Sequence, residues 1–285
     1  VKPQPFELEW MGGAAERHFR KARPATEELP WGTLDPAAYS PAAVDAARSA
    51  WTEVAINEYR AVAYFSSVLR ALVDVRAPLD LLGMTSDFLA DECSHVELAS
   101  RMAMELGGAA PRSVAVEGFA PGPVGKTPLQ RADEIILRIS CVQEAFAGGT
   151  ASVSMATTTH PLPRAVYETI LREEAHHRRL GGIYFEWALA RIDEPELARL
   201  GRALLAAVQP LARFWAKPAG TGAPAASSTS SARTAPPEDE LRALGWMPPA
   251  RFAEVAREVV VRDILDPLET IGIAITKEER AALLA

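Results

Sequence analysis

Proline placement constrains this chain more than any other feature. A proline inside a helix removes a backbone hydrogen bond and clashes with the preceding turn, so long helices run where proline is absent. The 22 prolines leave four long proline-free windows, 42–77, 79–110, 129–160 and 164–194. At about 1.5 Å per residue, each has room for a helix of roughly 45–50 Å. None shows the period-two alternation of a strand. The pattern predicts an all-α protein built on four principal helices.

The connections predict how those helices are arranged. Windows one and two are separated by little more than Pro78, and windows three and four by Pro161 to Pro163, so each pair reads as an antiparallel hairpin. Gly107 to Pro128 is rich in glycine and proline and long enough to return along the whole bundle. Helices two and three are therefore expected to run parallel, joined by one long crossover, in a four-helix bundle spanning 42–212. Residues 1–41 hold six prolines and are expected to wrap over the bundle as irregular structure. Residues 213–237 read as a Pro/Ala/Ser-rich linker. Residues 238–285 are expected to supply accessory helices that cover a face of the bundle. Within them Pro249 to Leu265 has helical apolar spacing, and Thr276-Lys277-Glu278-Glu279 has the form of a capping box.

Each window carries a buried stripe at alternating spacings of three and four. The first is Trp51, Ala55, Glu58, Val62, Phe65, Leu69 and Leu72, and the second Phe88, Glu92, His95, Ala99, Met102 and Leu106. The third is Leu137, Cys141, Glu144, Gly148, Ala151 and Met155. The fourth is Val166, Ile170, Glu174, His177, Gly181, Tyr184 and Ala188. Every stripe is apolar or small except near its middle, where a glutamate stands alone or with a histidine. Glu53 falls off its stripe, and His18, His160 and His176 read as surface residues.

Four carboxylates converging inside an apolar bundle repel one another and lose hydration, at several kcal/mol per uncompensated ion. Either protons neutralise them, with carboxyl pKa values raised by burial and repulsion, or cations sit among them. Two divalent ions balance four carboxylates while both imidazoles stay neutral. Oxygen and imidazole donors suit iron or manganese, and thiolate-rich zinc spacing is absent. One Glu from each of two helices plus a Glu-x-x-His from each of the others is the ligand set of di-iron and di-manganese carboxylate bundles. Glu58 precedes Glu92-Cys93-Ser94-His95 by 34 residues, and Glu144 precedes Glu174-Ala175-His176-His177 by 30, as two similar hairpins require.

These motifs resemble the ferritin-like di-iron oxygenase and oxidase superfamily over about residues 45–195. The resemblance implies a ferritin-like fold, metal ligands Glu58, Glu92, His95, Glu144, Glu174 and His177, and two Fe ions, with Mn or mixed Mn/Fe as alternatives. An acid commonly precedes each Glu-x-x-His in that superfamily and supports the histidine four residues later; Asp91 and Glu173 match it. The implied activity is O2-dependent oxidation of a small organic substrate, fed by an external electron donor because no flavin, haem or iron–sulfur motif is present. A ferroxidase, a di-manganese catalase and a non-catalytic ferritin-like binding protein are the alternatives. Ala147 stands where rubrerythrin-like peroxidases carry an extra Glu, and Ile170 where arylamine N-oxygenases carry a third His.

Gly148-Gly149 lies one turn after Glu144, and removing side chains there costs about 1 kcal/mol each in a helix. With Cys141 and Tyr184 it marks a candidate substrate pocket, with close helix packing as an equal rival. Cys93 and Cys141 read as small buried thiols; two cysteines are too few for a disulfide framework. A net charge of −7 disfavours nucleic acid, no apolar run reaches the length of a membrane span, and the first twenty residues contain no signal-peptide core. A cytoplasmic enzyme, potentially a homodimer, is the resulting expectation.

Overall fold

A computed structural model of the chain describes residues 3–22, 24–116, 119, 125–216 and 235–285. The first helix, α1 (Gly13–Ala22), lies within the N-terminal segment, which is thus only partly irregular. The four windows then become α2 (Pro41–Asp74), α3 (Leu79–Glu105), a third rod and α6 (Pro161–Ala188). The third rod consists of α4 (Pro128–Ile136), a π-helical segment (Leu137–Glu144) and α5 (Ala145–Thr157). Proline opens these helices as well as bounding them. Pro41, Pro128 and Pro161 each occupy the first turn, where a missing N–H costs nothing. Ser40 and Thr127 accept hydrogen bonds from the next free N–H groups, and His160 Nδ1 accepts one from Leu162 N at 3.1 Å.

Chain direction follows from contacts at the two ends. Ala110, just past α3, donates its N–H to Thr52 near the start of α2 at 2.9 Å. At the opposite end, Arg70 and Asp74 of α2 line a hollow with Pro128 and Arg131 of α4. The end of α3 and the start of α4 therefore lie at opposite ends of the rods, and α3 runs parallel to α4 and α5. Part of that crossover, and residues 217–234 of the expected linker, lie outside the described residues. Side by side, α2 packs on α3 and α4, while α6 packs on α3, α5 and the π segment.

The apolar interior is divided. One cluster contains Trp51, Ala55, Leu98, Met102, Val166 and Ile170. The other contains Phe65, Phe88, Leu137, Val142, Leu180 and Tyr184. On α2, α3 and α6 the break between clusters falls where each helix carries its glutamates and histidines. A polar layer thus crosses the middle of an otherwise oily interior.

The C-terminal residues cover the bundle. The remaining helices are α7 (Glu194–Val208), α8 (Glu238–Ala243), α9 (Pro249–Val259), a second π segment (Val260–Leu265), α10 (Asp266–Thr270) and α11 (Lys277–Leu284). The capping box predicted at Thr276 and Glu279 forms. Trp51 Nε1 donates to Leu244 O at 3.1 Å and Tyr167 Oη to Gly245 O at 2.9 Å, tying the tail to α2 and α6. At the other terminus β1 (Gln4–Pro5) pairs antiparallel with β2 (Ser113–Val114). No helix among the described residues is long and apolar enough to cross a membrane.

Two glycines distinguish close approach from free space. A Cβ at Gly201 on α7 would lie 2.3 Å from the backbone oxygen of Ala274, whereas one at Gly182 on α6 meets nothing within 4 Å. Gly201→Ala is expected to lower stability by about 1–3 kcal/mol through overpacking. Gly182→Ala should raise it by up to about 1 kcal/mol through helix propensity. Urea denaturation of both variants checks the pair of signs.

Candidate metal centre

The acidic residues on the stripes converge. Glu58 on α2, Glu92 and His95 on α3, and Glu174 on α6 each bring a ligand atom within 4.8 Å of the others. Glu92, Glu174, His177 on α6 and Glu144 at the end of the π segment form a second group of the same kind. Glu92 and Glu174 belong to both. All six expected ligands are therefore gathered, and this buried cluster could hold metal ions.

The carboxylate in the middle is divided between the two groups. Glu92 Oε1 lies 2.9 Å from His177 Nδ1, and its Oε2 lies 3.6 Å from His95 Nδ1. Glu174 Oε1 is 3.3 Å from His95 Nδ1 and 3.5 Å from His177 Nδ1. Glu58 Oε2 stands 3.8 Å from His95 Nδ1. Glu92, His95 and His177 are fully buried, while the Glu58 side chain keeps 17% of its surface exposed. The His177 ring packs against Phe88 and Phe65, with centroids 4.2 Å and 5.2 Å away.

Both imidazoles turn Nδ1 inward and Nε2 outward, and the outer partners are the two leading acids. Here the structure corrects the sequence reading, which paired each acid with the histidine of its own helix. His95 Nε2 meets Glu173 Oε2 of α6 at 2.9 Å, and His177 Nε2 meets Asp91 Oδ2 of α3 at 3.4 Å. Because α3 and α6 are antiparallel and their motifs face each other, each ring projects across the seam and finds the acid of the opposite helix.

Several buried polar atoms have no hydrogen-bond partner: both oxygens of Glu92, Oε2 of Glu174, and Nδ1 of His95 and of His177. Such atoms are costly to bury unsatisfied, and five of them gather in this one cluster. They are also the donor types that bind divalent cations.

Without cations, protons do the neutralising. Burial, then the neighbouring Glu92, pushes the Glu58 carboxyl well above its usual range. Burial followed by Glu174 does the same to Glu144. Burial would lower His95, but Glu173, Glu174 and Glu92 outweigh it and raise it well above normal. Burial would also lower His177, yet Asp91, Glu174 and Glu92 lift it to about 12. Burial would raise Glu174, but His177 and His95 together hold it below the ordinary carboxylate range. Two of the glutamates and both histidines are thus biased toward their protonated forms.

Among the described residues, the space expected for a pocket over Gly148 and Gly149 is filled. The space over Gly148 is filled by the Arg178 side chain, whose Cδ would be 2.8 Å from an added Cβ, and that over Gly149 by Val259 of α9 at 2.6 Å. Cys141 seats its sulfur against Gly181, and burial pushes its thiol up to about 12. Tyr184 is buried and donates to Asp133 Oδ1 at 2.7 Å. These glycines serve close helix packing, the rival reading. Cys93, expected to be buried, is exposed. Glu53 pairs with Arg112 at the surface, and His176 and His18 are exposed as expected. His160 caps α6 instead of standing free.

Two features had no clear sequence signal. The π segment inserts one residue before Glu144 and turns the upstream face by about 100°. Asp133, which accepts from Tyr184, is raised to about 6 by burial against the opposing pull of that hydrogen bond. Its place in the apolar run Ala132 to Leu137 was the available hint. Comparison with known proteins adds no relative: no family model, no curated protein and no solved structure matches the chain.

A pH dependence follows. Glu58, Glu144, His95 and His177 all have raised folded pKa values, so their contribution is present below the unfolded values and is lost as pH rises through the folded ones. Only Glu174 acts in the opposite sense, at acidic pH. The metal-free protein is expected to melt at lower temperature as pH rises from 6 to 9, and the stabilisation given by added Fe(II) or Mn(II) should grow over the same range. Melting scans with chelator and with metal at each pH check this; a metal-free Tm that climbs with pH would contradict it.

Proposed function

We propose that this protein is a ferritin-like, non-haem dimetal carboxylate oxidoreductase that uses two iron ions and O2 to oxidise a small organic substrate. The observation that carries the reading is the double membership of Glu92 and Glu174, one shared pair of carboxylates between two ligand groups of matching composition. A mononuclear site needs no such duplication. The arrangement of α2, α3, α4–α5 and α6, with a parallel central pair joined by a long crossover, supports the same conclusion.

Each residue has a distinct task in this proposal. Glu58 and His95 would help hold one metal ion, Glu144 and His177 the other, and Glu92 and Glu174, which belong to both groups, would contribute to each. A bound iron pair would supply redox chemistry toward dioxygen at these residues. Asp91 and Glu173 accept the Nε2–H of the two imidazoles, which fixes the tautomer and leaves the Nδ1 lone pairs directed inward. Phe65 and Phe88 seal His177 from water on one side. The donor set suits iron and manganese alike, so manganese or a mixed pair is compatible with the same residues. Electrons for turnover would come from a separate reductase or from the substrate itself, since no flavin, haem or iron–sulfur motif occurs in the sequence.

Metal quantification on purified protein tests the proposal first. Two Fe or Mn per chain are expected, with O2 uptake by the Fe(II) form in the presence of reductant. Glu92→Ala should reduce the stoichiometry below two. Asp91→Asn and Glu173→Gln should each weaken metal binding by about 10–100-fold while retaining the fold. Protein that takes up neither metal would end the reading. Turnover of Fe(II) or H2O2 alone, with no organic molecule oxidised, would replace it with metal handling or peroxide removal.

A further inference from the structure

An apolar hollow lies on the opposite side of the ligands from the filled glycines. It has a volume of about 550 Å³ and sits over the seam of α2 and α3, roofed by the N-terminal segment through Trp10 and Phe19. Its volume falls in the range of roughly 300–1,000 Å³ typical of small-molecule sites. Among the described residues, nine large apolar side chains are exposed, and four of them, Leu8, Trp10, Tyr59 and Met104, line this one hollow. Scattered exposed apolar groups are ordinary, whereas a cluster around a concavity marks a place that apolar matter occupies.

The position of the hollow relates it to the metal ligands. Tyr59 and Cys93, both lining it, directly follow Glu58 and Glu92 in the chain. Val62 and Val96 line it from one helical turn beyond the same two glutamates, on nearly the same faces of α2 and α3. Of the six ligands, Glu58, beside this seam, has the least enclosed side chain, at 17% exposure against 0% for Glu92 and 6% for Glu174. The short path from hollow to cluster therefore runs past Val62 and Val96.

Charge decides what kind of molecule fits. The hollow contains Arg20 and Arg101 but also Glu9, Glu27 and Glu97. Arg20 is engaged by Glu16, Glu27 and Glu97 at 2.7–2.9 Å, and Arg101 by Glu27 at 2.9 Å. Both guanidinium groups are thus already paired, and acids outnumber bases along the walls. An anionic ligand would find no free cation.

We propose that this hollow is the binding site for the organic substrate, and that the substrate is an uncharged, predominantly apolar small molecule that reaches the cluster between Val62 and Val96. The assignment rests on the dimetal reading above. It places substrate on the Glu58 side, away from the Gly148 side that the sequence offered as a candidate.

Fluorine NMR with trifluoromethylbenzene as the probe tests it, using full-length protein loaded with Mn(II) or with Zn(II). Saturable one-to-one binding is expected. The probe's resonance should broaden in the Mn(II) form beyond its width in the Zn(II) form, because the hollow adjoins the ligands. Ser100→Trp, which fills the hollow from α3, should weaken binding about tenfold or more. Met104→Glu, at an exposed rim position where misfolding is not a concern, should weaken it several-fold, and Ile183→Glu on α6 should leave it unchanged. The carboxylate analogue, 3-(trifluoromethyl)benzoate, should bind more weakly than the neutral probe. Absence of saturable binding, indifference to Ser100→Trp and Met104→Glu, or tight binding without Mn(II) broadening would each overturn the proposal. Failure of the dimetal reading is seen separately, as lack of metal uptake, and the same titration on metal-free protein still decides whether the hollow binds an apolar molecule.

Discussion

Everything in this bundle is arranged around the cost of keeping four carboxylates and two imidazoles away from water. That cost is met by positive charge, and the only question is its carrier. In the metal-free chain burial and neighbouring acids favour protons as the carriers, on Glu58 and Glu144 and on the two histidines wedged between acids. Two divalent cations deliver the same positive charge as the four protons they would displace. The exchange leaves the interior electrically unchanged while satisfying the orphaned atoms of Glu92, Glu174, His95 and His177. Protons and divalent cations are thus alternative ways of neutralising a cluster that could hold metal ions.

The rest of the architecture serves that layer. Apolar clusters above and below it exclude water and supply the cohesion that a charged layer cannot. The antiparallel facing of α3 and α6 lets two copies of one short motif brace each other, since each outer acid holds the opposite histidine. Such crossed bracing ties the relative position of the two helices to the orientation of both rings. Slippage of one helix along the other would unseat both imidazoles at once. The C-terminal helix α9, lying against Gly149, closes a side of α5 that glycine has cleared for it.

Much of this was legible in advance, for identifiable reasons. Helix positions could be read from proline because its effect is local and severe, and the errors of one to three residues at helix starts arise because proline also tolerates the first turn. The six inward acids and imidazoles stood out because a charged residue on an apolar stripe is a local contradiction of a regular pattern. Less was visible about how neighbouring helices fill each other's gaps. Gly148 and Gly149 looked like an opening, yet a missing side chain reads identically whether a substrate, an arginine or a second helix takes the space. The exposure of Cys93 was missed because small thiols are usually buried and this one stands between the buried Glu92 and Ser94.

By itself the amino-acid order determined the helical class, the pairing of helices into hairpins, the long return between them and the identity of the six inward acids and imidazoles. These follow from periodicity, helix breakers and connection length, which act over a few residues. Only the folded molecule decided that Glu92 and Glu174 are shared, that Asp91 and Glu173 brace across the seam, that a π segment resets the face carrying Glu144, and that open space lies over Val62 and Val96. Each of those depends on the relative rotation and register of separate helices. Rotation and register are set by the packing of many side chains at once, and no single segment of the chain encodes them.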